Sequence, residues 1–165
     1  MTVESPARSL GIRMTTFVAL LAPVLELTCC SDSKPGPIER KIAAKIAACE
    51  DQAPCRIVMS EITDFQWDRM YAFKYVATRE DVQQALGTPP PQYTEFTRKI
   101  VFLNHGTVVY MEEDPTNVEH PTAGEVSFDI PDNAVYRAYD RERAVFLARK
   151  ETEEAGVFYE LDPTQ

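Results

Sequence analysis

Residues 14–27, MTTFVALLAPVLEL, make the strongest apolar stretch of the chain, broken only by Pro23 and Glu26. Fourteen residues are too few to cross a hydrocarbon core of ~30 Å, which needs roughly 20. Arg8 and Arg13 precede the stretch against one acid, Glu4, and a polar segment with Pro and Gly, SDSKPGP, follows Cys30. A basic leader, a short apolar run and an abrupt polar tether describe an export signal rather than a buried helix. The chain is therefore expected to divide into a signal over 1–29, a tether over 30–37 and one α+β domain over 38–165.

Leu27-Thr28-Cys29-Cys30 resembles the lipobox of bacterial lipoproteins, in which an aliphatic residue stands three positions before the lipidated cysteine. Cys30 has Leu27 at that position, whereas Cys29 has Glu26, so lipidation is expected at Cys30. Cys29 stands where the pattern has Gly, Ala or Ser, which leaves a soluble periplasmic protein as the alternative. The resemblance implies a diacylated, further acylated cysteine held in the membrane by its chains, each buried methylene contributing about 0.8 kcal/mol. Ser31 after the cysteine implies the outer rather than the inner membrane.

The chain carries 26 acidic and 17 basic side chains. Two of each fall within residues 1–30, so the remaining 135 residues keep the whole formal charge of −9. Such a surface speaks against nucleic acid, which is gripped through basic patches, and against anionic lipid beyond the acyl anchor. It suits solubility and a basic protein partner.

Cys49 and Cys55 remain for the domain. In an oxidising compartment they read as a disulfide, and so short a loop is stabilised by only about 2 kcal/mol in the chain-entropy account. The spacing is not the C-x-x-C of a redox site, and a zinc site would need further ligands. No metal or cofactor is expected.

Pro37 suits the first turn of a helix. Ile38, Ile42, Ile46 and Cys49 then recur on one face, with Glu39, Arg40, Lys41 and Lys45 assigned opposite, giving about three turns that stop near Glu50. A strand is expected over 56–63 and a second over 67–75, where Trp67, Arg69, Tyr71, Phe73 and Tyr75 alternate onto one face. Thr78 to Asp81 reads as a capped helix start, Gly87 as its left-handed end, and Pro89-Pro90-Pro91 prevents continuation. Strands follow over 97–103 and 107–113 around the hairpin Asn104-His105-Gly106. After a polar loop over 114–124, further strands are expected over 126–130, 136–140, 144–150 and 157–161, with 149–155 as an exposed connection. The class is α+β: the N-terminal amphipathic helix and the short second helix packed on a curved antiparallel sheet.

The segment Phe65-Gln66-Trp67-Asp68-Arg69-Met70-Tyr71-Ala72-Phe73 resembles a stretch of small uncharacterised bacterial proteins, many of them lipoproteins. These read F-x-W-D-x-hydrophobic-Y-x-F before a short helix ending in Leu-Gly, here Leu86-Gly87. The resemblance covers residues 57–112 and implies no activity. Val82-x-x-Ala85-Leu86-Gly87-Thr88-Pro89 is similar to BamE-type outer-membrane lipoproteins. Those carry a Trp-x-Tyr strand after the Pro, whereas Trp67 here precedes the helix.

Trp67, Asp68, Arg69, Tyr71 and Phe73 thus form the candidate binding or structural cluster, with Asp68 free to pair with Arg69 or to accept backbone N–H groups at the turn. Glu61, Asp64 and Asp68 are abundant acids near a turn, and His105 and His120 sit in separate loops, so no catalytic residue is assigned. There is no nucleophile elbow or Gly-rich phosphate loop. The expected function is non-catalytic: a tethered periplasmic module that binds a protein, as assembly factor, inhibitor or immunity-type protein. A periplasmic hydrolase or metal-dependent enzyme using the acids near Trp67, and a purely structural lipoprotein, are the alternatives.

Overall fold

A computed structural model describes residues 35–49, 54–115, 124–153 and 156–164. The signal over 1–29, Cys30, most of the tether and His120 lie outside the described residues.

Gly36 caps helix α1 (Pro37–Ala48) without a side-chain cap, and Pro37 occupies its first turn. Ile38, Ile42 and Ile46 are buried, so the apolar stripe is the one expected from helical spacing. Glu39 departs from the expected exposed face: it is only 2% exposed. One residue along a helix turns by about 100°, which leaves Glu39 bordering the stripe rather than opposing it.

Strand β1 (Cys55–Val58) follows, and the disulfide Cys49–Cys55 ties the C-terminal end of α1 to its first residue. The strand expected over 56–63 ends early, because Met59–Ile62 forms a single helical turn, α2. One tertiary bond and one local bond hold the turn against the alternation. The Met59 N–H donates to the Ala144 carbonyl at 3.0 Å, and Thr63 Oγ1 donates to the Met59 carbonyl at 3.0 Å.

Strand β2 (Arg69–Phe73) precedes helix α3 (Arg79–Leu86), whose start and stop follow the expected chemistry. Thr78 and Asp81 form a reciprocal capping box, and Gly87 closes the helix at φ 71°. Strands β3 (Thr97–Asn104) and β4 (Thr107–Pro115) pair around His105-Gly106. Both turn residues have positive φ, 50° and 78°, as a two-residue hairpin of right-handed twist requires. A bulge falls between Phe102 and Leu103 of this ladder.

The last strands are β5 (Val126–Phe128), β6 (Tyr136–Asp140), β7 (Val145–Glu153) and β8 (Gly156–Pro163). The ladder from Phe146↔Pro163 to Glu153↔Gly156 runs through the segment expected to be an exposed connection. Cross-strand charge keeps it paired: Arg149 meets Glu160 at 2.8 Å and Asp162 at 2.5 Å.

The fold is α+β, but its strands divide into two four-stranded sheets, ordered β1-β7-β8-β5 and β4-β3-β2-β6. The single antiparallel sheet expected from the pattern needs correcting in a second respect, since β5 pairs with β8 in parallel. Ile42 of α1, Phe146 of the first sheet and Met70, Ala72 and Phe102 of the second share one core. Tyr71, Phe73, Val101 and Leu103 point the other way, into a second core closed by Val82 and Leu86 of α3. The sheet carrying β2 and β3 is therefore covered on both faces, which is why β3 holds four consecutive buried apolar residues, Ile100 to Leu103, rather than an alternating pattern. Among the described residues, no helix is long and apolar enough to cross a membrane.

Candidate functional site

The aromatic cluster expected on one face is split between the two cores. Trp67 lies in the core shared by both sheets and Tyr71 and Phe73 in the core under α3. Asp68 is a bend just ahead of β2, so period-two alternation does not carry through from Trp67. Trp67 is 2% exposed. Its indole N–H donates to Thr63 Oγ1 at 2.7 Å, its ring meets Phe102 edge-on at 5.0 Å, and the Arg141 guanidinium lies 5.0 Å from its centroid. Every polar atom of the side chain is spoken for, as core packing requires.

Asp68 accepts the His105 backbone N–H at 2.6 Å and so stitches the β3–β4 turn to the start of β2. Arg69 pairs loosely with Asp140, at 3.8 Å, not with Asp68. Asp64 is held by Lys41 at 3.2 Å, with its side chain 82% exposed. These acids answer to separate partners. Among the described residues, no three His, Cys, Asp or Glu side chains converge as metal ligands.

The strongest electrostatic feature lies elsewhere, where α1 meets the ends of β3, β4 and β5. Glu112 of β4 serves as the N-terminal cap that α1 lacks locally. Its Oε2 accepts the Ile38 N–H at 2.9 Å and its Oε1 the Glu39 N–H at 3.0 Å, while Tyr110 donates its hydroxyl at 2.7 Å. A carboxylate so placed satisfies orphan helix donors and sits favourably against the helix dipole. Glu39 in turn accepts the Val126 N–H at 2.6 Å and pairs with Arg98 at 3.2 Å. The same guanidinium meets Asp114 and, at 3.0 Å, Glu125. Burial, only partly offset by Arg98, pushes the Glu39 carboxyl up to about 7, with Asp114 and Glu112 adding to the rise.

Beside this latch opens a cavity of about 240 Å³, lined by Phe73, Ile100, Val126, Phe128 and Ile130 together with Glu39 and Arg98. Drug-sized pockets run to roughly 300–1,000 Å³. A cavity this small, whose charged groups already serve α1, fits a structural joint better than a substrate site.

A second cleft, of about 500 Å³, lies at the surface between α3 and the start of β3, bordered by Tyr75, Val76, Arg79, Tyr93, Glu95 and Phe96. Phe96 is 69% exposed and adopts φ 54°, a conformation that disfavours a bulky side chain. Its neighbours impose that turn. The Thr94 N–H and hydroxyl both donate to Glu113, at 2.8 and 2.9 Å. The buried Lys99 ammonium donates to the Thr94 and Thr97 carbonyls, each at 2.8 Å, under the Tyr93 ring. Burial holds the Lys99 ammonium below its usual range. Tyr93 donates its hydroxyl to the Ala77 carbonyl at 3.0 Å, and Arg79 lies 4.8 Å from the centre of its ring. A rigid frame thus projects one aromatic side chain into solvent.

Neither Glu39 nor Phe96 is conspicuous in sequence. Glu39 reads as a first-turn acid on a solvated face, and its burial follows only from where β4 and β5 meet α1. Phe96, between Glu95 and Thr97 ahead of β3, carries no local mark of exposure or of positive φ. Compared with protein-family models, with curated proteins and with solved structures, the chain matches none.

Proposed function

We propose that this chain is an outer-membrane lipoprotein, exported by residues 1–29 and acylated on Cys30, whose domain docks a basic protein partner through the face around Phe96. Phe96 carries the docking part of this reading. A Phe at a left-handed position costs of the order of 1–2 kcal/mol that Gly would not, and its exposed ring returns nothing to the core. Natural chains keep such a residue where another requirement outweighs stability, and exposed aromatic and Arg side chains are the commonest interface anchors. Glu80 and Glu95 border the same cleft, and with the chain's formal charge of −9 they favour a partner that surrounds an apolar pocket with Lys and Arg. The domain then acts by binding, with no reaction of its own.

Two measurements test the two halves. Full-length protein is cross-linked in envelope preparations, and captured partners are compared between wild type and Phe96→Gly. The expected result is a stoichiometric partner, weakened by salt, that Phe96→Gly loses while thermal stability holds or rises. A partner retained equally by Phe96→Gly would overturn the docking face, and the absence of any stoichiometric partner across salt conditions would overturn the binding function. Cys30→Ala is expected to leave the membrane fraction; retention there would overturn the anchor.

A further inference from the structure

A groove among the described residues has the opposite character to the acidic chain as a whole. Between the outer edge of β6 and the adjoining ends of β1, β7 and β8 runs an open groove of about 880 Å³ bordered by Arg56, Arg69, Arg137 and Arg143, against only Asp140 and Glu142. Four guanidinium groups face two carboxylates there, while the whole sequence has 26 acids to 17 bases.

These arginines are lightly committed. Arg69 and Arg137 each reach a carboxylate only at 3.8 Å, and such partly exposed pairs contribute little. Arg56 and Arg143 are exposed, and neither is in an ion pair with a described residue. Arg137 lies over Tyr139 at 5.7 Å and Arg69 over Tyr71 at 5.8 Å, contacts that steady the stems and leave N–H groups for a ligand.

The groove also contains an unpaired sheet edge. Among the described residues, β6 is the last strand of the sheet ordered β4-β3-β2-β6 and pairs only with β2. In an antiparallel pair, alternate residues turn their N–H and C=O groups toward the partner strand. The Arg141 N–H donates to Asp68 and the Val135 carbonyl accepts from Lys74. Ala138 is three residues from each of Arg141 and Val135, an odd number of steps, so its backbone groups face away from β2. A free edge is a template for an added strand.

We propose that this groove binds an extended acidic peptide, added as a fifth strand beside β6, with carboxylates at alternate positions engaging the arginines. A phosphate or a polyanionic sugar would use the guanidinium groups alone. Only a peptide uses the guanidinium groups and both the donors and the acceptors of the edge, and that favours it. Side chains alternate along a strand, so an acid at every second residue presents a row of carboxylates to Arg56, Arg137 and Arg143, each able to form a paired hydrogen bond. This surface is separate from the face around Phe96 and opposite to it in charge, so either can fail alone.

The test uses full-length protein in detergent and fluorescence anisotropy of a labelled Val-Glu-Val-Glu-Val-Glu peptide, with its Gln counterpart as control. The acidic peptide is expected to bind, and the Gln peptide at least about tenfold more weakly, as lost charge-assisted bonds require. Arg56→Gln with Arg143→Gln, both exposed and structurally uncommitted, is expected to weaken binding about tenfold without moving the melting temperature. Ala138→Pro removes the outward N–H and spares the bonds to β2, as an edge strand tolerates. It too is expected to weaken the peptide, while inorganic phosphate binding stays unchanged. Equal affinity for the Glu and Gln peptides would overturn the proposal. So would full displacement by millimolar phosphate together with no effect of Ala138→Pro, which would make the groove a simple anion site, and so would peptide-independent dimerisation abolished by the Arg variants, which would make it a self-association face.

Discussion

Gly36 and Glu112 are fitted to each other across 76 residues of chain: a Cβ added to Gly36 would stand 2.5 Å from Cδ of Glu112 and 2.7 Å from each carboxylate oxygen. Glu112 cannot swing aside freely, because hydrogen bonds from Ile38, Glu39 and Tyr110 hold it. Gly36→Ala is therefore expected to break part of that set and to destabilise the domain by about 1–3 kcal/mol, the usual cost of stranding buried polar groups. Urea unfolding of the two proteins measures it. A change within error would mean that α1 does not depend on Glu112.

Glu39 predicts an unusual pH dependence. Its folded-state value of about 7 stands above the ordinary glutamate value of 4.5, so between those limits the folded protein binds more protons than the unfolded one. Stability must then fall as pH rises from about 4.5 to 7, by about 3 kcal/mol if Glu39 acts alone, and level off above. The sign is opposite to that of an ordinary salt-bridged acid. Burial raises Glu160 as well and adds the same sign, so Glu39→Gln is the control that isolates the residue. Denaturant midpoints at pH 5 and pH 8 are expected to differ clearly in wild type and much less in the variant.

Breaking the disulfide should be mild. Cys49 and Cys55 are only six positions apart, and loop-closure entropy for so short a ring amounts to about 2 kcal/mol. Cys49→Ser with Cys55→Ser is expected to fold, with its melting temperature lowered, and to lose the wild type's sensitivity to reductant.

The two cores should answer differently to substitution. Trp67→Ala opens the layer shared by both sheets and α1, and is expected to cost about 3–5 kcal/mol. Thr78→Ala removes only the α3 capping box, where Thr78 Oγ1 accepts the Asp81 N–H at 3.2 Å, and is expected to cost about 1 kcal/mol. Hydrogen exchange in Thr78→Ala should rise in α3 before it rises in β2 and β3.

What was legible in the sequence is what local chemistry decides. Thr78, Asp81 and Gly87 mark both ends of α3, His105-Gly106 marks the hairpin, and the isoleucine spacing marks the buried stripe of α1. What was not legible depends on partners distant in the chain. Met59 to Ile62 alternates like a strand, yet coils because Ala144 takes the Met59 N–H. Trp67 and Tyr71 share a parity, yet face opposite cores because Asp68 bends the chain to reach His105. The charges of Arg149 and Glu151 suggest a loop, yet Glu160 and Asp162 wait across the ladder. The candidate site was the least legible part. The exposure of Phe96, the burial of Glu39 and the gathering of four arginines each depend on three or more elements meeting.

Helix α1 has a mechanical meaning beyond its packing. Tension applied to the chain at residue 35 would enter through Gly36 and meet the Glu112 carboxylate within one helical turn. Past the far end of the helix, the covalent link from Cys49 to Cys55 hands the remaining force to β1 and its neighbour β7. The helix is thus bolted at both ends, by hydrogen bonds to one sheet and by sulfur to the other. A pull from the N-terminal side is shared between the two sheets instead of peeling the domain open one turn at a time.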